Sequence, residues 1–233
     1  MRMPAKFAQS FRALPLICFA APAAHAQLSG SAAILSDYMY RGISLSADKP
    51  VVRLALNYDG AEGWYAGGQA VNGQMNGETH RSAQWLGYAG YARRLASGLS
   101  WETGVTAYGF PSVPNWNFRE FYVGLASERY SARLHYSPDY LGLGERTLYA
   151  EVNGGHALTQ RLQLFWHAGY LYAPSNAASN RAEGRVGVGS MLQGWQAQLS
   201  LDMVRLRQSG GIYGGPDDNN IRHKFVVSIA RTF

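Results

Sequence analysis

Apolar and polar residues alternate one by one along most of this chain, which restricts it to β-strands with two unlike faces. Four segments show this most cleanly. Val52, Leu54, Leu56 and Tyr58 alternate with Arg53, Ala55, Asn57 and Asp59. Tyr130, Ala132, Leu134 and Tyr136 alternate with Ser131, Arg133, His135 and Ser137. Leu162, Leu164, Trp166, Ala168 and Tyr170 alternate with Gln163, Phe165, His167 and Gly169. Trp195, Ala197, Leu199, Leu201 and Met203 alternate with Gln196, Gln198, Ser200 and Asp202. Counting every such segment predicts about twelve strands, near 31–43, 50–59, 63–73, 83–95, 99–109, 117–128, 130–138, 146–154, 161–172, 184–191, 195–207 and 221–233.

The connections alternate in length. Those at 44–49, 74–82, 110–116, 139–145, 173–183 and 208–220 are the longer ones. Those at 60–62, 96–98, 129 and 192–194 are tight, and 155–160 is intermediate. Short turns on one rim, long loops on the other and an even strand number are the plan of a bacterial outer-membrane barrel. The predicted fold class is therefore all-β: one antiparallel transmembrane β-barrel over 27–233.

The first 26 residues read as a cleaved signal peptide. Arg2, Lys6 and Arg12 precede the short apolar run Leu14–Ala24, and Ala24-His25-Ala26 is a small-x-small cleavage pattern. That run is too short to anchor the chain in a bilayer. The single cysteine, Cys18, falls inside it, so the exported part has no thiol for a disulfide or a metal. The formal charge of +6 owes three units to this leader, and what remains does not imply a nucleic-acid partner.

Tyr and Trp recur near strand ends: Tyr38, Tyr40, Tyr58, Trp64, Trp101, Tyr122, Tyr130, Tyr136, Trp166, Tyr170, Tyr172 and Trp195. In a membrane barrel they are expected as interfacial girdles. The last strand sets Phe225, Val227, Ile229 and Phe233 on one face and Lys224, Ser228 and Thr232 on the other. A terminal aromatic after alternating apolar residues is the kind of signal the outer-membrane assembly machinery reads. Arg231 departs from that pattern but can snorkel to the headgroups.

Several segments resemble the TorF family of outer-membrane porins. Leu35 to Ser44, LSDYMYRGIS, is similar to the family's TSDYVFRGIS opening. Gly63–Gly67 resembles its GFYAG, Phe118–Gly124 its YTEVYVG and Tyr136–Tyr140 its YSPDY, in the same order along the chain. The resemblance implies an outer-membrane barrel with a porin role and no defined solute. It does not account for His135, which stands where the family pattern has an aromatic or small residue.

A charge on the lipid face costs roughly 2–4 kcal/mol at the bilayer midplane, so charged residues within strands report which parity faces inward. This assigns Asp37, Arg41, Arg53, Asp59, Glu102, Glu120, Arg133, His135, Glu151, His167, Arg185, Asp202 and Lys224 to the lumen. With twelve strands the lumen should be narrow. Two readings follow: opposed charges line a narrow water-filled pore that passes small polar or charged solutes, or they pair and close it. Small inward residues at Ala55, Gly104, Gly124, Gly187 and Gly189 fit open space or strand curvature equally.

His135 and Ser137 stand two apart, an H-x-S spacing that resembles lipid A 3-O-deacylases, with Glu151 able to orient the histidine. The same parity turns Arg133 inward, away from lipid, which weighs against that reading. A soluble β-sandwich would need polar residues where Leu164, Trp166, Leu199 and Met203 stand. No metal or cofactor site is expected; Asp217–Asn220 fits a surface Ca²⁺ less well than a solvated hairpin tip. The expected partners are outer-membrane lipid and lipopolysaccharide outside, small solutes inside, and the assembly machinery at the Phe233 strand.

Overall fold

A computed structural model describes residues 27–74, 82–176, 179–206 and 221–233. The expected leader with Cys18, and the Asp217–Asn220 loop, lie outside the described residues. Two-faced strands can satisfy their edges by closing on themselves, and twelve of them do so. They are β1 (Gln27–Leu35), β4 (Val51–Asp59), β5 (Trp64–Gly73), β6 (Ser82–Arg94), β7 (Ser100–Gly109), β8 (Phe118–Ala126), β9 (Tyr130–Tyr140), β10 (Glu145–Ala157), β11 (Leu162–Tyr172), β12 (Arg181–Leu192), β13 (Trp195–Leu206) and β14 (Ile221–Thr232). Each pairs antiparallel with its sequence neighbour, and β1 closes the ring against β14. The remaining two, β2 (Met39–Tyr40) and β3 (Ile43–Ser44), form a small hairpin of their own.

One rim carries the short turns 60–63, 95–99, 127–129, 158–161 and 193–194. The connection expected to be intermediate is also tight, because β10 runs on to Ala157.

The outward positions of the strands form an uninterrupted non-ionic band. Val52, Leu54, Leu56, Val105, Phe121, Val123, Leu134, Val152, Val186, Leu199, Phe225 and Val227 are all exposed. Among the described residues, outward charges occur only near strand ends, as at Arg93, Arg119, Arg146, Arg205 and Arg231. Strands of 9 to 13 residues are long enough to cross a bilayer when tilted. At the short-turn rim Trp64, Tyr91 and Trp101 adjoin one another, with ring centroids 5.2 and 5.7 Å apart. Arg231 lies over the Trp195 ring at 5.4 Å.

Three of the expected girdle aromatics are corrected. Tyr38, Tyr40 and Tyr122 are buried inside the barrel. Tyr122 has the same parity as Glu120 on β8, and the other two belong to a segment that leaves the wall.

The expected strand 31–43 is also corrected. β1 ends at Leu35, and the chain turns into the lumen. Arg41 (φ 48°) and Gly42 (φ 77°) adopt left-handed backbone, which no strand can contain. They form the two-residue turn between β2 and β3, the geometry of a type I′ hairpin.

Candidate functional site: the barrel lumen

The inserted segment 36–50 is seated by chemistry at both ends. At its base Asp37 accepts from the Ser44 and Ser46 hydroxyls, both at 2.6 Å, and from Lys224 Nζ at 2.8 Å. Tyr38 N donates back to Ser46 Oγ at 3.0 Å. At its tip Arg41 donates to Glu120 through both terminal nitrogens, at 2.7 and 2.6 Å. Its guanidinium lies 3.9 Å from the Tyr149 ring centroid. Arg181 on β12 donates to the Arg41 carbonyl at 3.0 Å and to the Tyr140 hydroxyl at 2.7 Å. Gly42 passes so close to β13 that a Cβ would stand 2.7 Å from Val204 Cβ.

Around this tip the lumen is filled by rings. Tyr40 meets Tyr108 edge-on at 5.5 Å, Tyr108 stacks on Phe118 at 4.2 Å, and Phe118 meets Tyr140 at 5.1 Å. Tyr38, Leu45, Val51, Val71, Leu86, Phe110, Leu141, Tyr149 and Leu171 complete the cluster. The barrel therefore has an aromatic core toward its long-loop rim, built on a segment that is not part of the wall.

Most of the inner face of β6 to β10 is sealed. Arg133 donates to Glu102 through Nε at 2.6 Å and Nη2 at 3.1 Å. Tyr65 donates to the same carboxylate at 3.0 Å and shares a 2.6 Å hydrogen bond with Tyr122. His135 lies between Glu120, 3.6 Å from Nδ1, and Glu151, 3.5 Å from Nε2. Ser137 donates to the Arg119 carbonyl at 2.9 Å. His135 and Ser137 are 1% and 0% exposed, so neither meets lipid or water, and the serine proton points to backbone.

The opposite wall is different. His167, Arg185, Asp202 and Lys224 stand directly opposite one another across β11, β12, β13 and β14. They form one ionic row around the inside. His167 contacts Asn153 at 2.7 Å and Glu183 at 3.0 Å, and Glu183 also accepts from Tyr149. Arg185 Nε donates to Asp202 at 2.5 Å, and Ser200 supports that carboxylate at 2.8 Å. Lys224 also contacts Asp48. Arg53, Ala55, Asn57, Gln69, Asn153, His167, Glu183, Arg185, Gln198, Lys224 and Ser228 all keep partial solvent exposure.

The strand-borne members of the expected set, Arg53, Asp59, Glu102, Glu120, Arg133, His135, Glu151, His167, Arg185, Asp202 and Lys224, share the inward parity of their strands. Asp37 and Arg41 are inside as well, but on the inserted segment rather than on the wall. Three of the inward glycines are covered: the Tyr122 ring lies over Gly104 and the Phe165 ring over Gly187, while Glu102 and Arg133 cover Gly124. Sequence reasoning missed Arg181 and Glu183 because it began their strand at 184; their parity with Arg185 was the available signal. Among the described residues no cluster of His, Cys, Asp and Glu is arranged to hold a metal ion.

Comparison with solved structures finds a similar barrel fold in porins. The KdgM porin superposes with a TM-score of 0.56 at 15% identity, covering 88% of this chain and 99% of that one. The NanC porin gives 0.57 at 14% identity, covering 89% and 99%. KdgM in complex with disordered oligogalacturonate gives 0.51 at 12% identity, covering 88% and 98%. No curated protein sequence matches. One family model matches residues 19–233, that of a bacterial protein of unknown function, Gcw_chp.

Proposed function

Because the chain belongs to the Gcw_chp family of bacterial proteins of unknown function, we propose its role from the barrel itself: a porin-like channel of the outer membrane giving passive diffusion of small polar or charged solutes. The observation that carries this reading is the division of the lumen. β6 to β10 and the inserted segment fill one side, while the ionic row of β11 to β14, with Arg53 on β4, remains partly solvated. A solute would pass along that second wall, and its charge would meet the local field there. The apolar outer band supports a bilayer setting, and residues 1–26 supply the export signal. The strand ending in Phe233 is the segment offered to the assembly machinery, with lipid and lipopolysaccharide as the outer partners.

Single-channel conductance of the refolded barrel in a planar bilayer tests this. Discrete steps with an ion preference are the expected result; an inserted, heat-modifiable barrel with no steps overturns it. One observation favours a second reading, a closed structural barrel. The bidentate Arg41–Glu120 pair, with side chains 2% and 1% exposed, holds the inserted segment across the lumen. A lipid hydrolase built on His135 and Ser137 receives no such support, because both lie in the sealed wall.

A further inference from the structure

We propose that the outward face of β8 to β10 holds lipid A, the acylated and phosphorylated glycolipid of the outer leaflet, with Arg119 and Arg146 on its phosphates and an apolar groove beneath them on its acyl chains. The inference rests on the outer-membrane reading, not on conduction, and gives the expected lipopolysaccharide contact a place on the wall. Strand register sets the geometry. Phe121, Tyr136 and Leu148 stand side by side on the outside of β8, β9 and β10. Arg119 and Arg146 lie two residues before the first and the last of these, so they share the outward parity and stand nearer the long-loop rim. Ser137 on β9 adjoins both places: its hydroxyl donates to the Arg119 carbonyl at 2.9 Å, and it pairs with Thr147, the residue after Arg146. One strand separates the two arginines, about 10 Å between backbones. Long loops of such barrels face the outside of the cell, which puts both arginines at the outer leaflet.

Both arginines are exposed, and among the described residues neither guanidinium has an ion pair or a hydrogen-bond acceptor. The carboxylates close to them in sequence are committed elsewhere. Glu120 turns inward to Arg41, Asp139 accepts from the Gly144 N–H at 2.7 Å, and Glu145 accepts from Ser179 Oγ at 2.9 Å and from Asn176. A lone arginine at a strand end only snorkels to the headgroups; what lies below this pair argues for a bound lipid. An open groove of about 530 Å³ extends from Phe121, Tyr136 and Leu148 past the small Ala89 to Trp64 and Tyr91 at the short-turn rim. Its volume is that of a small-ligand site, and its apolar lining suits acyl chains. Guanidinium forks bind phosphate in two-pronged fashion. A lipid without phosphate would leave the arginines unused, and free phosphate would leave the groove empty; a phosphorylated, multiply acylated lipid engages both. Among the described residues the other outward arginine of this rim, Arg205, stands between Ala182 and Ile221.

Native mass spectrometry of the refolded barrel in detergent tests the site, with bisphosphorylated lipid A, phosphatidylglycerol and phosphatidylcholine as probes. The expected result is a parent that retains lipid A at lower concentration than either phospholipid. The double variant Arg119→Gln, Arg146→Gln should weaken lipid A by at least about tenfold, while Arg205→Gln binds it as the parent does. Ala89→Phe keeps both arginines, puts an apolar ring where lipid tolerates one, and should weaken lipid A through the groove alone; it decides the matter if the double variant fails to give a heat-modifiable band. Lipid A held equally by parent and double variant, lost equally in Arg205→Gln, or matched by phosphatidylglycerol overturns the site and leaves the membrane barrel standing. A folded parent that takes up no lipid A does the same, and unchanged binding in Ala89→Phe overturns the groove's part. A parent that does not enter bilayers overturns the outer-membrane reading, and the site with it.

Discussion

Arg41 sits in left-handed backbone, where a non-glycine residue costs of the order of 1–3 kcal/mol. That strain is offset by the two hydrogen bonds to Glu120 and the Tyr149 ring beneath the guanidinium. Removing one partner of a buried pair leaves the other charged and unpaired, at about 3–5 kcal/mol. Glu120→Gln should therefore unseat the segment 36–50 while the wall stays closed. The measurement is protease cleavage within 36–50 together with single-channel conductance; both should rise, and an unchanged, protected segment would mean that the aromatic cluster alone holds it. Gly42→Val should act the same way from the other side, because its φ of 77° and the nearby Val204 leave no room for a side chain. Rescue by Val204→Ala would separate the steric part from the backbone part.

At the scale of single elements, strand parity governs what each position tolerates. Leu164 faces outward on β11 and His167 inward. Leu164→Arg would place a charge against lipid, at a cost below the roughly 2–4 kcal/mol of the bilayer midplane because Leu164 is near the end of β11, and should lower the yield of heat-modifiable barrel; Ala55→Arg, on the inner face of β4, should assemble at the parent yield. Equal yields for the two would contradict the assigned faces. Local alternation made these faces legible without any tertiary information, since a one-residue slip would turn every charge of a strand outward. The segment 35–44 escaped the same reasoning. SDYMYRGIS alternates well enough to pass as strand, and the two left-handed residues that end it show no strong turn signature beyond Gly42. Tyr38 and Tyr40 were misplaced with it.

For the whole molecule, closure depends on the two ends of the described chain meeting. Gly30 and Phe233 exchange backbone hydrogen bonds, each at 2.9 Å. The terminal ring covers Gly30 so closely that a Cβ there would stand 2.5 Å from it. Gly30→Leu should therefore slow closure and lower the temperature at which the folded band is lost on a gel, while Gly155→Ala on β10, where a Cβ would meet only the Leu164 carbonyl at 3.7 Å, changes neither the closing seam nor its ring. If Gly30→Leu closes and melts like the parent, the ring has another resting place and the seam is less specific than its geometry implies.

What the sequence determined by itself were properties read one strand at a time: twelve antiparallel strands, an apolar outside, charged side chains turned inward and a short-turn rim. Each follows from period-two alternation and from the cost of a charge in lipid, both local. Tertiary structure alone decided which charges are sealed and which are solvated, and that a stretch resembling a strand became the core of the lumen. Those outcomes depend on partners far apart in the chain, with Arg41 and Glu120 separated by 79 residues and Asp37 and Lys224 by 187. A contact across a closed barrel leaves no periodic trace in the residues on either side of it.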